Sequence, residues 1–292
     1  MATFVKFWGT RGSIPTPGHK TRRYGGNTSC VELRVDDALF ICDGGTGLRE
    51  LGQDLLARGG SVSAHLLFSH THWDHIQGFP FFTPAYLPGS TLHVYDVKKE
   101  DHRIQRLLLG QMKSEYFPVG FGDLGASIRF ADLDGGSKSI EGVEITHLEQ
   151  NHPGTSFAYS FTKGGLKVVY ATDSELDQRI VNHEAAARDP DRLRELPDDI
   201  VRLVADADLL IADGQYTDEE YPRKVGWGHA RASTVVDLAV QANVRQLAIF
   251  HHDPMHSDDD LDLAIDFCRK RALRLGSSAV VFGAREGVEL KL

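Results

Sequence analysis

Short apolar or alternating runs dominate the first half of the chain. Thr3–Trp8, Cys30–Val35, Ala38–Cys42, Ala64–Phe68 and Thr91–Tyr95 are such runs, set off by Gly, Asp and Ser, and each predicts a strand. Between them, Leu48, Leu51, Leu55 and Leu56 recur at helical spacing after Gly45, with Thr46 placed to cap the helix. Asp101–Met112 reads as a further helix and Phe117–Gly125 as an aromatic, Gly-rich loop. The second half repeats the style, with strands expected at Ile128–Ala131, Val143–His147, Ser156–Phe161, Lys167–Ala171, Leu209–Ala212 and Gln246–Phe250. Helices are expected from about Leu176 to Ala205, over Ala230–Ala242, and from Ser257, where Ser-Asp-Asp-Asp supplies a cap and suits the helix dipole. Ala279–Phe282 and Gly287–Lys291 read as a closing hairpin. Two β-rich halves that each end in helices predict an α+β protein: an αββα sandwich of two mixed β-sheets with helices on both outer faces. A single domain over residues 1–292 is expected, with a helix–loop insertion at about 100–125.

Composition narrows the partners. The net charge of -9 over 292 residues argues against a basic face for long nucleic acid, whose binding depends on neutralising phosphates. Cys30, Cys42 and Cys268 form no CxxC pair, and an odd number is a poor disulfide framework, so reduced thiols and a cytoplasmic location are expected. The first residues lack the pattern of a signal peptide. No run of 18 apolar residues exists, so no membrane partner is expected.

The 14 histidines change the picture. Ser69-His70-Thr71-His72-Trp73-Asp74-His75 follows the strand Ala64–Phe68 and puts four strong ligands into six residues. In extended backbone His70 and His72 project to one side and can reach one ion, while Asp74 and His75 turn toward a neighbouring position. Imidazole and carboxylate suit zinc, iron or manganese. Asn151-His152-Pro153-Gly154, Tyr170-Ala171-Thr172-Asp173 and Phe250-His251-His252-Asp253 also stand at strand ends. His147 rivals His152 but lies inside a strand, where a structural histidine is commoner; His65, His93, His102 and His183 show no partner pattern.

His-x-His-x-Asp-His after a strand resembles the signature of the metallo-β-lactamase superfamily, and the later motifs fall in its order. Gly228-His229-Ala230-Arg231-Ala232-Ser233, a helix and Ala248-Ile249-Phe250-His251 are similar to the block of the branch holding ribonuclease Z and related phosphodiesterases. Gly9-Thr10-Arg11-Gly12-Ser13 and Asp43-Gly44-Gly45-Thr46-Gly47 resemble its opening motifs. The resemblance implies two divalent ions, Zn²⁺ first and Mn²⁺ or Fe²⁺ as alternatives. It implies that His70, His72 and His152 hold one ion, that Asp74, His75 and His251 hold the other, and that Asp173 bridges them. His251 rather than adjacent His252 matches the family spacing, which leaves His252 behind a ligand or facing substrate.

Two ions about 3.5–4 Å apart can share a water and lower its pKa toward neutrality, supplying a hydroxide nucleophile. His229 is the candidate general acid, by resemblance and because imidazole releases a proton near neutral pH. Asp213, at the end of Leu209–Ala212, can accept a hydrogen bond from it. Asp74 is expected to be indispensable to turnover. Asp43 is read as a turn residue that also orients a metal ligand. Gly44, Gly45 and Gly47 lack the lysine and spacing of a P-loop. Arg11, Asn27 and Thr28 are candidate substrate contacts, and Phe79, Phe81, Phe82, Tyr86 and Trp227 a candidate apolar or base-stacking wall. The expected substrate is a small phosphodiester such as a cyclic nucleotide, and a homodimer is compatible with the sequence. A tRNA 3′-processing endonuclease is an alternative, although relatives of that kind carry a long arm where only Pro153–Thr172 separates His152 from Asp173. Hydrolysis of a carbon ester, thioester or lactone at the same ions is another, since one fold hosts many chemistries. A metal-containing sensor without turnover is the reading from a different class.

Overall fold

The structure is a computed structural model that describes residues 3–97, 103–133 and 135–292. The chain divides into two compact units: Met1–Pro17, Gly25–Gly135 and Arg285–Leu292 in the first, Gly18–Tyr24 and Gly136–Ala284 in the second.

The first unit holds strands β1 (Thr3–Gly9), β2 (Cys30–Val35), β3 (Ala38–Cys42), β4 (Ser63–Leu67), β5 (Thr91–Asp96), β6 (Ser127–Asp132) and, from the end of the chain, β14 (Glu289–Lys291). They form one sheet in the order β14-β1-β2-β3-β4-β5-β6. Pairing is antiparallel from β14 to β3 and parallel from β3 to β6. Helices α1 (Gly47–Ala57), α2 (Trp73–Ile76) and α3 (Arg103–Gln111) accompany it. Leu48, Leu51 and Leu55 of α1 are buried in one cluster with Ile41, Leu66, Phe79 and Phe82, as the helical spacing predicts. Thr46 precedes α1, but its side chain makes no cap bond to the helix. It instead exchanges two 2.9 Å hydrogen bonds with Thr28: each hydroxyl accepts from the other's backbone N–H. Of the expected helix Asp101–Met112, Asp101 and His102 lie outside the described residues. From Arg103 onward, α3 buries Ile104 and Leu108 in the same core.

The second unit holds β7 (Ser137–Ile140), β8 (Val143–Gln150), β9 (Ser156–Lys163), β10 (Leu166–Ala171), β11 (Leu209–Asp213), β12 (Gln246–Phe250) and β13 (Val280–Gly283), in the order β13-β12-β11-β10-β9-β8-β7. Pairing is antiparallel from β7 to β10 and parallel from β10 to β13, so this sheet is mixed as well. Its helices are α4 (His183–Arg188), α5 (Asp198–Val204), α6 (Ala232–Gln241) and α7 (Asp258–Arg274). Val235, Val236 and Ala239 of α6 share a core with Leu210, Leu247 and Ile249 of the sheet and Ile265 and Cys268 of α7. Ser257 caps α7 as expected, in a box in which its hydroxyl accepts from Asp260 N–H while the Asp260 carboxylate accepts from Ser257 N–H.

Three further expectations fail. The helix from Leu176 to Ala205 is a single 3₁₀ turn and two short helices, because Pro190 and Pro197 interrupt the backbone ladder. The closing hairpin does not form: β13 pairs parallel with β12, and β14 pairs antiparallel with β1. The local alternation is right for a strand in either sheet, and only the long-range partners decide between them. Phe79 and Phe82 are fully buried core rather than a substrate wall.

Candidate metal centre

Three strands end in the same local device. Asp43 after β3, Asp173 after β10 and His251 after β12 have φ of 61°, 49° and 59°, the left-handed region that side chains other than glycine seldom adopt. Each costs about 1–2 kcal/mol locally and persists because surrounding bonds fix it.

In the first unit, Asp43 is the hub. Its carboxylate accepts from Ser69 N–H at 2.7 Å, from the Ser69 hydroxyl at 2.7 Å and from His75 Nδ1 at 2.8 Å. The proton of His75 therefore sits on Nδ1, and its Nε2 is a lone-pair donor, 3.2 Å from Asp74 Oδ2. Asp74 Oδ2 accepts from Ser13 N–H at 2.7 Å. The rings of His72 and His75 lie 4.5 Å and 4.2 Å from that of His70. His72 is exposed, whereas His70, Asp74 and His75 are buried. The glycines after Asp43 permit close backbone approach. Gly44 N–H donates to His75 C=O at 2.7 Å, Gly78 N–H donates to Gly44 C=O at 2.8 Å, and a Cβ on Gly78 would stand 1.9 Å from the Gly45 carbonyl oxygen.

In the second unit, Asp173 lies among three imidazoles. Its Oδ1 is 3.1 Å from His251 Nε2, and its Oδ2 is 3.7 Å from His152 Nε2 and 3.9 Å from His229 Nδ1. His152 Nδ1 donates to Gly228 C=O at 2.8 Å, and His251 Nδ1 donates to Gln215 Oε1 at 2.9 Å. Both bonds leave Nε2 as the lone-pair donor. His229 Nδ1 meets Asp213 Oδ2 at 2.8 Å, and Asp213 also accepts from Gln215 and Ser174 N–H. Asp173, Asp213, His229 and His251 each offer an atom within 4.8 Å of the others, and all four are buried. His252 points elsewhere: its Nε2 donates to Ala284 C=O at 2.9 Å, and its ring meets Tyr24 edge-on.

The donor set fits divalent ions. It consists of imidazole nitrogens whose tautomers are fixed from behind by Asp43, Gly228 and Gln215, together with carboxylates that can share their oxygens. The two oxygens of Asp173 face different histidines.

The remaining sequence candidates are placed differently. Arg11 is fully buried, and its Nε donates to Gly25 C=O at 2.8 Å. Asn27 donates from its backbone and side chain to Glu286. His147 is a half-buried strand residue against Phe157, its pKa lowered by burial. His65 and His93 stack in the first sheet. Sequence reasoning missed Ser13, Ser69, Glu175 and Gln215. Ser69 and Gln215 stand one and two residues from His70 and Asp213, but nothing in their type separates them from ordinary loop polar residues. The three cysteines are free and buried, and burial holds the Cys30 and Cys42 thiols well above their usual range and pushes Cys268 up to about 12, so none is a nucleophile.

Residues 40–252 match the family described as the Beta-lactamase superfamily domain. Ribonuclease Z of Halobacterium salinarum is 26% identical over 300 residues, covering 90% of this chain and 91% of the relative. The metallo-beta-lactamase fold protein YhfI of Bacillus subtilis superposes with a TM-score of 0.69 at 20% identity, covering 100% of this chain and 99% of its own. The short form of human tRNase Z superposes with a TM-score of 0.61 at 18% identity, covering 86% of this chain and 93% of its own.

Proposed function

The chain belongs to the metallo-β-lactamase superfamily as a metal-dependent hydrolase, and from that premise we propose that it cleaves phosphodiesters, with a small diester such as a cyclic nucleotide as substrate. The observation that carries this reading is the buried Asp213–His229 pair at 2.8 Å beside Asp173. An imidazolium held by a carboxylate is a proton donor for an alkoxide leaving group, the group that departs from a phosphodiester.

In this proposal both units act as one catalytic domain over residues 1–292. His70, His72 and His152 hold one ion, Asp74, His75 and His251 hold the other, and Asp173 is shared. Zinc is the first choice, with manganese and iron(II) as alternatives. Divalent ions there would acidify a water toward neutrality and offset charge on the phosphate oxygens. The protein's own groups do the rest. Asp43, Gly228 and Gln215 hold three imidazoles in the tautomer that presents Nε2. Ser13 N–H orients Asp74. His229 delivers its proton from Nε2 to the departing oxygen, and Asp213 on Nδ1 stabilises the charged ring beforehand. Arg11 and Asn27 act as positioning residues of the Gly-rich loops.

Two observations favour a small diester over an RNA end. The net charge is -9. The segment between His152 and Asp173 is taken up by the hairpin of β9 and β10, closed at Gly164-Gly165, with Leu166 opposite Lys163. The second reading, a tRNA 3′-processing nuclease, is favoured by the names of the relatives. Cytoplasmic residence is part of the proposal and is supported by the three buried free thiols. No helix among the described residues is long and apolar enough to cross a membrane.

The test is turnover of bis(p-nitrophenyl) phosphate with added Zn²⁺ or Mn²⁺ against a chelated control, beside a cyclic nucleotide panel and a precursor tRNA. Metal-dependent nitrophenol release, lost in Asp74→Ala, is expected, with cleavage in the panel. Cleavage of the tRNA alone selects the second reading. No diester turnover by a protein holding two ions overturns both and shifts the assignment to carbon esters, thioesters or lactones.

A further inference from the structure

The loop that leads into Gly228-His229 has properties the reading above does not use. Arg223, Val225 and Trp227 are exposed, the last two at 57% and 58%. Exposed side chains of this size usually belong to mobile loops, yet this one is anchored. The buried carboxylate of Glu175 accepts from Tyr221 Oη at 2.8 Å, from Gly226 N–H at 2.7 Å and from Gly228 N–H at 2.9 Å. Gly226 and Gly228 have φ of 84° and 89°, which allows the backbone to present both N–H groups to one carboxylate. Lys224 Nζ lies 4.0 Å from the Trp227 ring centroid and 5.5 Å from that of Tyr216, and the Tyr216 ring lies 5.9 Å from that of His229. Trp227, Lys224, Tyr216 and His229 thus form a continuous series from solvent to the buried imidazole.

We propose that Trp227 is a stacking platform for a nucleobase of the substrate, with Lys224 and Arg223 as cations for its phosphate. This rests on the phosphodiester reading and narrows it to nucleotide diesters. A rigid, solvent-facing indole costs little entropy to engage a flat ring, and base–aromatic stacking tolerates any base. Arg223 and Lys224 stand within four residues of the indole, while the preceding Asp218 and Glu220 are engaged by Ser233 and His256, so the two cations suit an anionic ligand. A purely apolar partner would gain nothing from them.

The test is calorimetric binding to the zinc-loaded chain, with AMP, ribose 5-phosphate and a short oligoadenylate as probes. AMP is expected to bind roughly ten-fold tighter than ribose 5-phosphate, the difference one stacked base supplies. Trp227→Ala should abolish that preference and Trp227→Phe should keep most of it, with zinc content unchanged in both. Equal binding of AMP and ribose 5-phosphate by the wild type overturns the proposal, as does a preference that survives Trp227→Ala. Oligoadenylate binding no tighter than AMP identifies a small nucleotide as the source of the base, and much tighter binding identifies an RNA end. A Trp227-dependent preference without any diester turnover would sink the hydrolytic reading while leaving the base site standing.

Discussion

Asp43 shows how much chemistry a single side chain can hold without touching a substrate. It sets the tautomer of His75 and ties down Ser69 beside His70. Asp43→Ala should therefore weaken zinc binding about 10–100-fold, as loss of a partner behind a ligand typically does, read by competition with a chromophoric chelator. His229 has the opposite signature. His229→Ala should lower kcat on a cyclic nucleotide, whose leaving group is an alkoxide, about 10²–10⁴-fold while metal content stays at the wild-type level; unchanged turnover of that substrate would remove it from the proton-donor role. Glu286 supplies a pH effect away from the centre. Burial pushes its carboxyl up to about 7, against hydrogen bonds from Asn27 that lower it. The folded chain then binds this proton more tightly than the unfolded chain, so its contribution is unfavourable above the unfolded pKa and grows as pH rises toward 7. The unfolding free energy of Glu286→Gln from urea titration should match the wild type near pH 4 and exceed it at pH 8, by on the order of 1 kcal/mol after allowance for solvent screening.

The elements are joined by groups the hydrophobic pattern does not display. Asp237 of α6 is fully buried and accepts from Arg271 of α7 at 2.6 and 2.7 Å and from Arg194 at 3.2 Å. Arg271 also donates to the carbonyls of Pro190 and Arg192, which holds the segment between α4 and α5 out of a helix. Asp237→Ala leaves the buried Arg271 guanidinium without its carboxylate and Arg194 with the Asp218 carboxylate alone, at 3.4 Å, and should destabilise the chain by about 3–5 kcal/mol in denaturant unfolding. A change below 1 kcal/mol would mean that water replaces the carboxylate at no cost.

For the whole molecule, the centre couples ions to stability. Within the second unit the candidate ligands His152, Asp173 and His251 come from segments far apart in sequence, so an ion bound there by the folded chain alone must stabilise it. At a hundredfold excess over Kd the effect is about 2.7 kcal/mol per site. The Tm should rise with zinc concentration and fall on chelation; a Tm indifferent to both would mean that the folded chain has no preferential metal site.

The sequence by itself determined every strand but β7, the amphipathic α1, the cap of α7 and the identity of the ligand candidates. These are local matters: alternation, helical spacing and dense histidines after an apolar run can be read within a few residues. The Asp213–His229 pairing was also legible, because a strand-end carboxylate and a loop imidazole are residue types whose chemistry suggests a partner. Tertiary structure alone decided that β13 and β14 join different sheets, that an Arg–Asp network holds the broken region between α4 and α5, and that His252 turns to the Ala284 carbonyl and the Tyr24 ring. It alone revealed Ser13, Ser69, Glu175 and Gln215. These roles depend on hydrogen bonds between residues distant in sequence, and a serine or glutamine that holds a ligand reads the same in one dimension as one that faces water.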